Sequence, residues 1–159
     1  MPLLKYFSVL FAAAFILNWF WEMLQMSAYQ EMARLTWKET AVPCAIASLG
    51  DTAITFMIFV VGALGARRIT WAIEPTWNVY LFAALLGAAC AVAYEWVALG
   101  SGRWSYADQM PILPALNVGL WPVLQLTFLV PTTFWIAAKV HESFMTNTAP
   151  VHQAVTNDH

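Results

Sequence analysis

The sequence predicts an all-α, polytopic membrane bundle of four transmembrane helices with one further apolar segment too short to cross. Composition is the first reason. Of 159 residues, 61% are hydrophobic and 10% charged, where a soluble domain carries roughly 45–50% apolar and about 25% charged residues. Charge placement is the second. The 7 Lys+Arg and 9 Asp+Glu fall between long apolar stretches and form no basic block, so nothing offers nucleic acid an electrostatic footprint.

The first span is expected from Tyr6 to Tyr29, with Glu22 as its one formal charge. That stretch exceeds the ~20 apolar residues needed to cross about 30 Å of hydrocarbon. A cleavable signal peptide is the competing reading, because Lys5 precedes the run. The run is too long for that, and Asn18, Trp21 and Glu22 stand where a small-residue cleavage site belongs. The second span is expected from Val42 to Ala66, with Pro43 in a first helical turn, Asp51 as its only charge and Arg67-Arg68 closing it.

The third span runs from Trp77 to about Gly100 after the Glu74-Pro75 turn signal and carries Glu95. Its small-residue run Ala83 to Ala91 suits close helix contact in lipid. The fourth runs from Trp121 to about Val140, with Pro131 as an expected kink. Between them, Met110 to Leu120 is apolar but interrupted by prolines and a glycine, which points to a re-entrant or interfacial segment. A fifth full span is the alternative. Residues 1–140 then form one transmembrane domain, and 141–159 a polar, disordered tail holding His141, His152 and His159.

Four spans place both termini on one side. Lys5, Arg67, Arg68 and Lys139 there face Arg34, Lys38 and Arg103 on the other, a bias that favours cytoplasmic termini.

Polar residues inside the spans carry the functional argument. Asn18, Glu22, Gln25 and Tyr29 follow the spacing i, i+4, i+7, i+11 and share one helix face. Ser48, Asp51, Thr52 and Thr55 form a stripe on the second span, Glu95 stands near the end of the third, and Gln125 one turn into the fourth. At about 1.5 Å rise per residue, Glu22, Asp51, Glu95 and Gln125 lie roughly 10, 14, 8 and 6 Å from the same membrane face. They are expected to meet in one polar cavity in the outer half, opening toward Arg103, Tyr106 and Asn117.

An ionised carboxylate inside a bilayer must be paired, hydrated or protonated. Arg103 is the expected counter-ion, and at least one of Glu22, Asp51 and Glu95 is expected to hold a proton and act as a general acid. Asn18, Gln25, Gln125, Arg103, Tyr106 and Asn117 are the expected substrate contacts, with Trp21, Trp96 and Trp104 offering π faces to a developing cation. Purely structural readings stand beside these. Gln125 fits interhelical hydrogen bonding, Asp51 fits satisfaction by its own Ser and Thr neighbours, and the other Trp residues fit interfacial anchors. Cys44 and Cys90 fall at depths of roughly 3 and 14 Å, which excludes a disulfide. With no His inside the expected spans and no phosphate loop, dinucleotide fingerprint or nucleophile elbow, neither metal nor cofactor is expected.

Asn18 to Gln25, Glu95 with Gly102 to Tyr106, and Met110-Pro111 to Gln125 resemble small uncharacterised bacterial multi-span membrane proteins, which implies a bacterial inner membrane but no activity. The Trp21-Glu22 pair is similar to that of the integral-membrane terpene cyclases of meroterpenoid pathways. That resemblance implies an acid-initiated cyclisation with Glu22 as the acid and Asp51 or Glu95 as its partner. The expected function is acid-base chemistry on an isoprenoid or other lipid. The alternatives are a proton-coupled transporter of hydrophobic cations working as a homodimer, and a non-catalytic subunit or assembly factor of a larger membrane complex.

Overall fold

The computed structural model describes residues 2–148. Helix α1 covers Pro2–Gln25 and ends in a single 3-10 turn, Met26–Ala28; α2 covers Trp37–Ala66, α3 Trp77–Gly100 and α4 Leu120–Thr148. Two short antiparallel strands, β1 (Ile112–Leu113) and β2 (Val118–Gly119), pair Ile112 with Gly119 and Leu113 with Val118. Each of the four helices is long and apolar enough to cross a membrane. The chain is an all-α, four-helix, multi-pass membrane bundle.

Helix α1 starts at Pro2, ahead of the expected Tyr6, and three further boundaries differ from the sequence expectation for local reasons. Helix α2 starts at Trp37 and not Val42, because Glu39 reaches back to the Thr36 backbone N–H and hydroxyl, both at 2.8 Å. This capping box satisfies amide groups that hydropathy cannot see. Pro43 therefore sits in the second turn, and Asp51 lies about 21 Å along α2 from its start and not 14 Å. Helix α1 ends at Gln25, so Tyr29 leaves the helical face and adopts an extended conformation. Helix α4 continues through His141 to Thr148, so the first eight residues read as tail are helical. His152, His159 and the rest of that expected tail lie outside the described residues.

Helix α1 packs along both α2 and α4, and α3 packs along α4, while α2 and α3 meet only sparsely. The α3–α4 contact is made by the small-residue face of α3. A Cβ on Gly87 would stand 2.5 Å from the Leu126 carbonyl oxygen, with buried Ala83, Ala91 and Val130 in the same core. That face is occupied within the chain and is not a free surface for a partner subunit.

The core concentrates at the end of the bundle that carries the termini, where Tyr6, Leu10, Ile58, Phe59, Trp71 and Phe134 bury one another. Trp71 belongs to the loop between α2 and α3, yet is buried against Gly62, its indole N–H donating to the Phe59 carbonyl at 3.0 Å. It is a core plug and not an interfacial anchor. His141 meets the Tyr6 ring edge-on at this same end, sixteen residues and about 24 Å along α4 from Gln125.

Opposite substitutions test this packing. Gly87→Ala forces α3 and α4 apart and is expected to lower stability by about 1–3 kcal/mol. Gly50→Ala and Gly65→Ala, where a Cβ meets nothing within 4 Å, are expected to be neutral or slightly stabilising through helix propensity. Unfolding in mixed micelles with rising denaturing detergent ranks the three.

Candidate functional site

The polar residues of α1, α2 and α4 meet at the end of the bundle opposite the aromatic core. Two facts of helix geometry bring Glu22 and Asp51 together despite their different axial positions. Side chains lean toward the N-terminus of their own helix, and α1 and α2 are antiparallel neighbours. Glu22 thus leans down and Asp51 up, and Gln25 and Gln125 tie the two carboxyl groups into one network.

Gln125 organises the surroundings. Its Nε2 donates to Asn18 Oδ1 and to Asp51 Oδ2, both at 2.9 Å, and its Oε1 accepts from Gln25 Nε2 at 2.9 Å. Gln25 spends its other amide hydrogen on Glu22 Oε1 at 3.0 Å. The Gln25 oxygen accepts from the Trp21 indole N–H at 3.1 Å, which fixes the direction of the whole amide relay. Asn18 closes the set by donating to the Ala14 carbonyl at 2.8 Å. Asn18, Gln25 and Gln125 are buried, while Glu22 and Asp51 keep part of their surface accessible. Among the described residues, no buried side-chain nitrogen or oxygen lacks a partner.

Glu95 is buried on α3 and stands apart from that pair, held by donors from the loop after α3. The Trp104 indole donates to its Oε2 at 3.3 Å, and the Tyr106 hydroxyl donates to the same oxygen. Tyr106 is itself aimed by the Gly119 N–H, 2.8 Å from its hydroxyl oxygen. The loop segments form a roof. Tyr29 bridges Tyr106 in antiparallel fashion, with Gln30 N donating to the Ser105 carbonyl and Ala107 N to the Ala28 carbonyl. Burial and the neighbouring acids push the Tyr29 hydroxyl far above the ordinary phenol value, and burial with the Glu95 hydrogen bond does the same to Tyr106. Both therefore keep their protons across the physiological range.

The expected site residues divide accordingly. Asn18, Trp21, Glu22, Gln25, Asp51 and Gln125 form one network, and Glu95, Trp104 and Tyr106 a second. Trp96 is exposed, its indole bound to the Leu116 carbonyl at 2.8 Å, because its side of α3 faces away from the bundle. Arg103 is not a counter-ion to the acids. Its guanidinium lies over the Tyr94 ring and donates to the Tyr94 hydroxyl at 3.1 Å. The one salt bridge among the described residues is Lys139–Glu142, at the other end of the molecule. Asn117 is exposed with φ 57°, where it turns the chain between β1 and β2. Tyr29 is the residue that the expected site set omitted; the sequence had placed it on the polar face of α1.

Among the described residues, no three His, Cys, Asp or Glu side chains converge closely enough to hold a metal ion. Comparison with family models, with characterised proteins and with solved structures gives no match. The site is therefore interpreted on its own chemistry.

Removing Gln125 tests the network. Gln125→Leu strips partners from Asn18, Gln25 and Asp51 at once, and an unsatisfied buried group costs about 1–3 kcal/mol. The variant is expected to unfold in detergent titrations well before the wild type. Thr127→Val, which removes only a bond back to the Val123 carbonyl of its own helix, is expected to stay close to it.

Proposed function

We propose that the chain is an integral-membrane enzyme in which the Glu22–Asp51 carboxyl pair acts as a general acid toward an isoprenoid or other lipid. The observation that carries this reading is the convergence of the Glu22 and Asp51 carboxyl groups, from two different helices, on one amide network through Gln25 and Gln125. Two acids on one network in hydrocarbon, with no cation bound to either, support a retained proton at a depth where hydrocarbon substrates dissolve, in a site whose amides are already committed to holding the acids. Glu22 is the donor and Asp51 its partner. Transfer breaks the carboxyl O–H bond and forms a C–H bond on an alkene carbon. The resulting cation closes a ring or shifts, and a proton leaves from a different carbon to a carboxylate or to water. No oxidant or cofactor is consumed, and the reaction is of the cyclase or isomerase type. Glu95, tied to two donors, serves the roof of the site instead of the acid pair.

The inner half of the bundle weighs against a proton-coupled exchanger, which needs polar access from both faces. There the core is Tyr6, Leu10, Ile58, Phe59, Trp71 and Phe134, packed around one another. A subunit or assembly factor loses its main support, because the small-residue face of α3 is covered by α4. With the cationic residues Lys5, Arg67, Arg68 and Lys139 at the end bearing the termini, the reading sets the termini in the cytoplasm and the acid pair in the outer leaflet of a bacterial inner membrane.

Lipid extracts of membranes containing wild type or Glu22→Gln, compared by chromatography and mass spectrometry, test the reading. The wild type is expected to yield a lipid of unchanged mass and altered retention. Glu22→Gln, expressed and folded like the wild type, is expected to lower its formation on the order of 10²–10⁴-fold. Equal product from both proteins overturns the assignment.

A further inference from the structure

The amide network around the acid pair has a direction. A carboxamide fits its site either way round, because its oxygen and nitrogen occupy nearly the same space, and only a neighbour that donates without accepting, or the reverse, selects one sense. Helix α1 supplies such a neighbour within one turn. Trp21 and Glu22 stand four and three residues before Gln25, so both side chains meet it on one face.

An indole N–H only donates. The Trp21 N–H, 3.1 Å from Gln25 Oε1, holds that oxygen and leaves the amide nitrogen to donate to Glu22 Oε1 at 3.0 Å and Gln125 Oε1 at 2.9 Å. The remaining bonds follow in the same sense. Gln125 Nε2 faces Asn18 Oδ1 and Asp51 Oδ2, both at 2.9 Å, and Asn18 Nδ2 ends on the Ala14 carbonyl at 2.8 Å. A reversed Gln25 would set its NH2 group against the indole N–H and its oxygen against Gln125 Oε1.

One state of Glu22 favours that reversal. A protonated carboxyl group is itself a donor, and a reversed Gln25 would offer it an oxygen. The indole opposes the turn. While Gln25 donates to Oε1, a proton on Glu22 belongs on the other oxygen, Oε2. We infer that Trp21 is a positioning residue for the acid, which keeps Gln25 a donor to Glu22 Oε1 and so confines the transferable proton to Oε2. The inference rests on Glu22 being the proton donor. It assigns the indole a part played through its N–H and not through its π face.

Two substitutions separate those parts. Trp21→Phe keeps an aromatic face and deletes the N–H. Trp21→His deletes the fused benzene ring and keeps, in its five-membered ring, an Nε2–H where the indole N–H stands. The readout is the infrared carbonyl stretch of the protonated carboxyl group in purified, reconstituted protein, assigned by its loss in Glu22→Gln. A carbonyl oxygen that accepts a hydrogen bond absorbs at lower wavenumber than a free one. Trp21→Phe leaves the buried Gln25 oxygen without its donor, so Gln25 is expected to turn that oxygen to the Glu22 proton, free the carboxyl C=O and move the band to higher wavenumber. Trp21→His is expected to restore the wild-type position. Product formation is expected to fall on the order of 10²-fold in Trp21→Phe and to recover most of that loss in Trp21→His. Trp19→Phe, which removes an indole bond from α1 to the Ala41 carbonyl, is expected to leave the band unmoved.

A band at the wild-type position in Trp21→Phe overturns the positioning role and leaves the donor standing. So does an equal shift in Trp19→Phe or Trp21→His, because loss of packing and not of the N–H would then move it. Full product formation in Trp21→Phe with loss in Trp21→His overturns it in favour of the π face. If Trp21→Phe does not fold, Gln25→Met decides, since it removes the donor to Oε1, and a band at the wild-type position in that variant overturns the assignment. A wild-type protein with no protonated-carboxyl band, or with one that survives Glu22→Gln, overturns the donor and the positioning role together.

Discussion

The Gln125 carboxamide is the interaction on which the end of this bundle opposite the aromatic core depends. One nitrogen donates to α1 through Asn18 and to α2 through Asp51, while the oxygen of the same group accepts from Gln25. Lipid tails are as apolar as a leucine face, so helices gain nothing from simply hiding hydrocarbon from hydrocarbon. What orders three helices at this end is the requirement that each buried donor and acceptor find a partner. At the other end the same helices are ordered mainly by apolar packing, with Trp71 against Gly62, its indole bound to the Phe59 carbonyl. The molecule thus has a polar clamp at one end and a dispersion-packed core at the other.

That division explains why the two carboxyl groups tolerate each other. Bringing a second acid beside Glu22 in hydrocarbon is costly if both are charged, and no Lys or Arg among the described residues is bound to either. The structure supplies an amide hydrogen from Gln25 to Glu22 and one from Gln125 to Asp51. Both amides already have each of their nitrogen-bound hydrogens engaged, and Glu22 and Asp51 are the carboxyl groups of the network that keep accessible surface. Glu95 solves the same problem differently, by gathering the Tyr106 phenol and the Trp104 indole, and in doing so ties the loop after α3 down over the bundle.

The helices were legible from composition and spacing because the membrane leaves few options for such a chain. Helix α3 agrees with its expected ends residue for residue, since a turn signal and a polar glycine-rich loop bracket an unbroken apolar run. The boundaries that moved are those governed by hydrogen bonds instead of hydropathy, as at Thr36 and Glu39, or by a helix that continues past its apolar stretch, as at His141. In the site, helical spacing on α1 and the depth argument brought Asn18, Glu22, Gln25, Asp51 and Gln125 to one place. Depth alone misled where orientation decides. Trp96 is next to Glu95 in the chain, yet one residue along a helix is about 100° around it, which carries the indole to the outer face. The loops were the least legible, because nothing local in Arg103 or Asn117 reveals that one lies against Tyr94 and the other turns a two-residue hairpin.

The omission of Tyr29 has the same physical origin and says something about how such sites are built. A residue on a continuous helix inherits its direction from the helix, so its neighbours follow from arithmetic. Tyr29 takes its direction from a strand-like pairing with Tyr106, seventy-seven residues later in the chain, which no local rule encodes. The rigid helices hold the acids at fixed positions, and the paired loops bring over them the hydroxyl groups that could not be placed from the helices alone. Acids on helices and phenols on loops therefore divide the site into a part set by span geometry and a part set by loop closure. The two parts meet where Tyr106, paired with Tyr29 across the roof, donates its hydroxyl to Glu95 on α3.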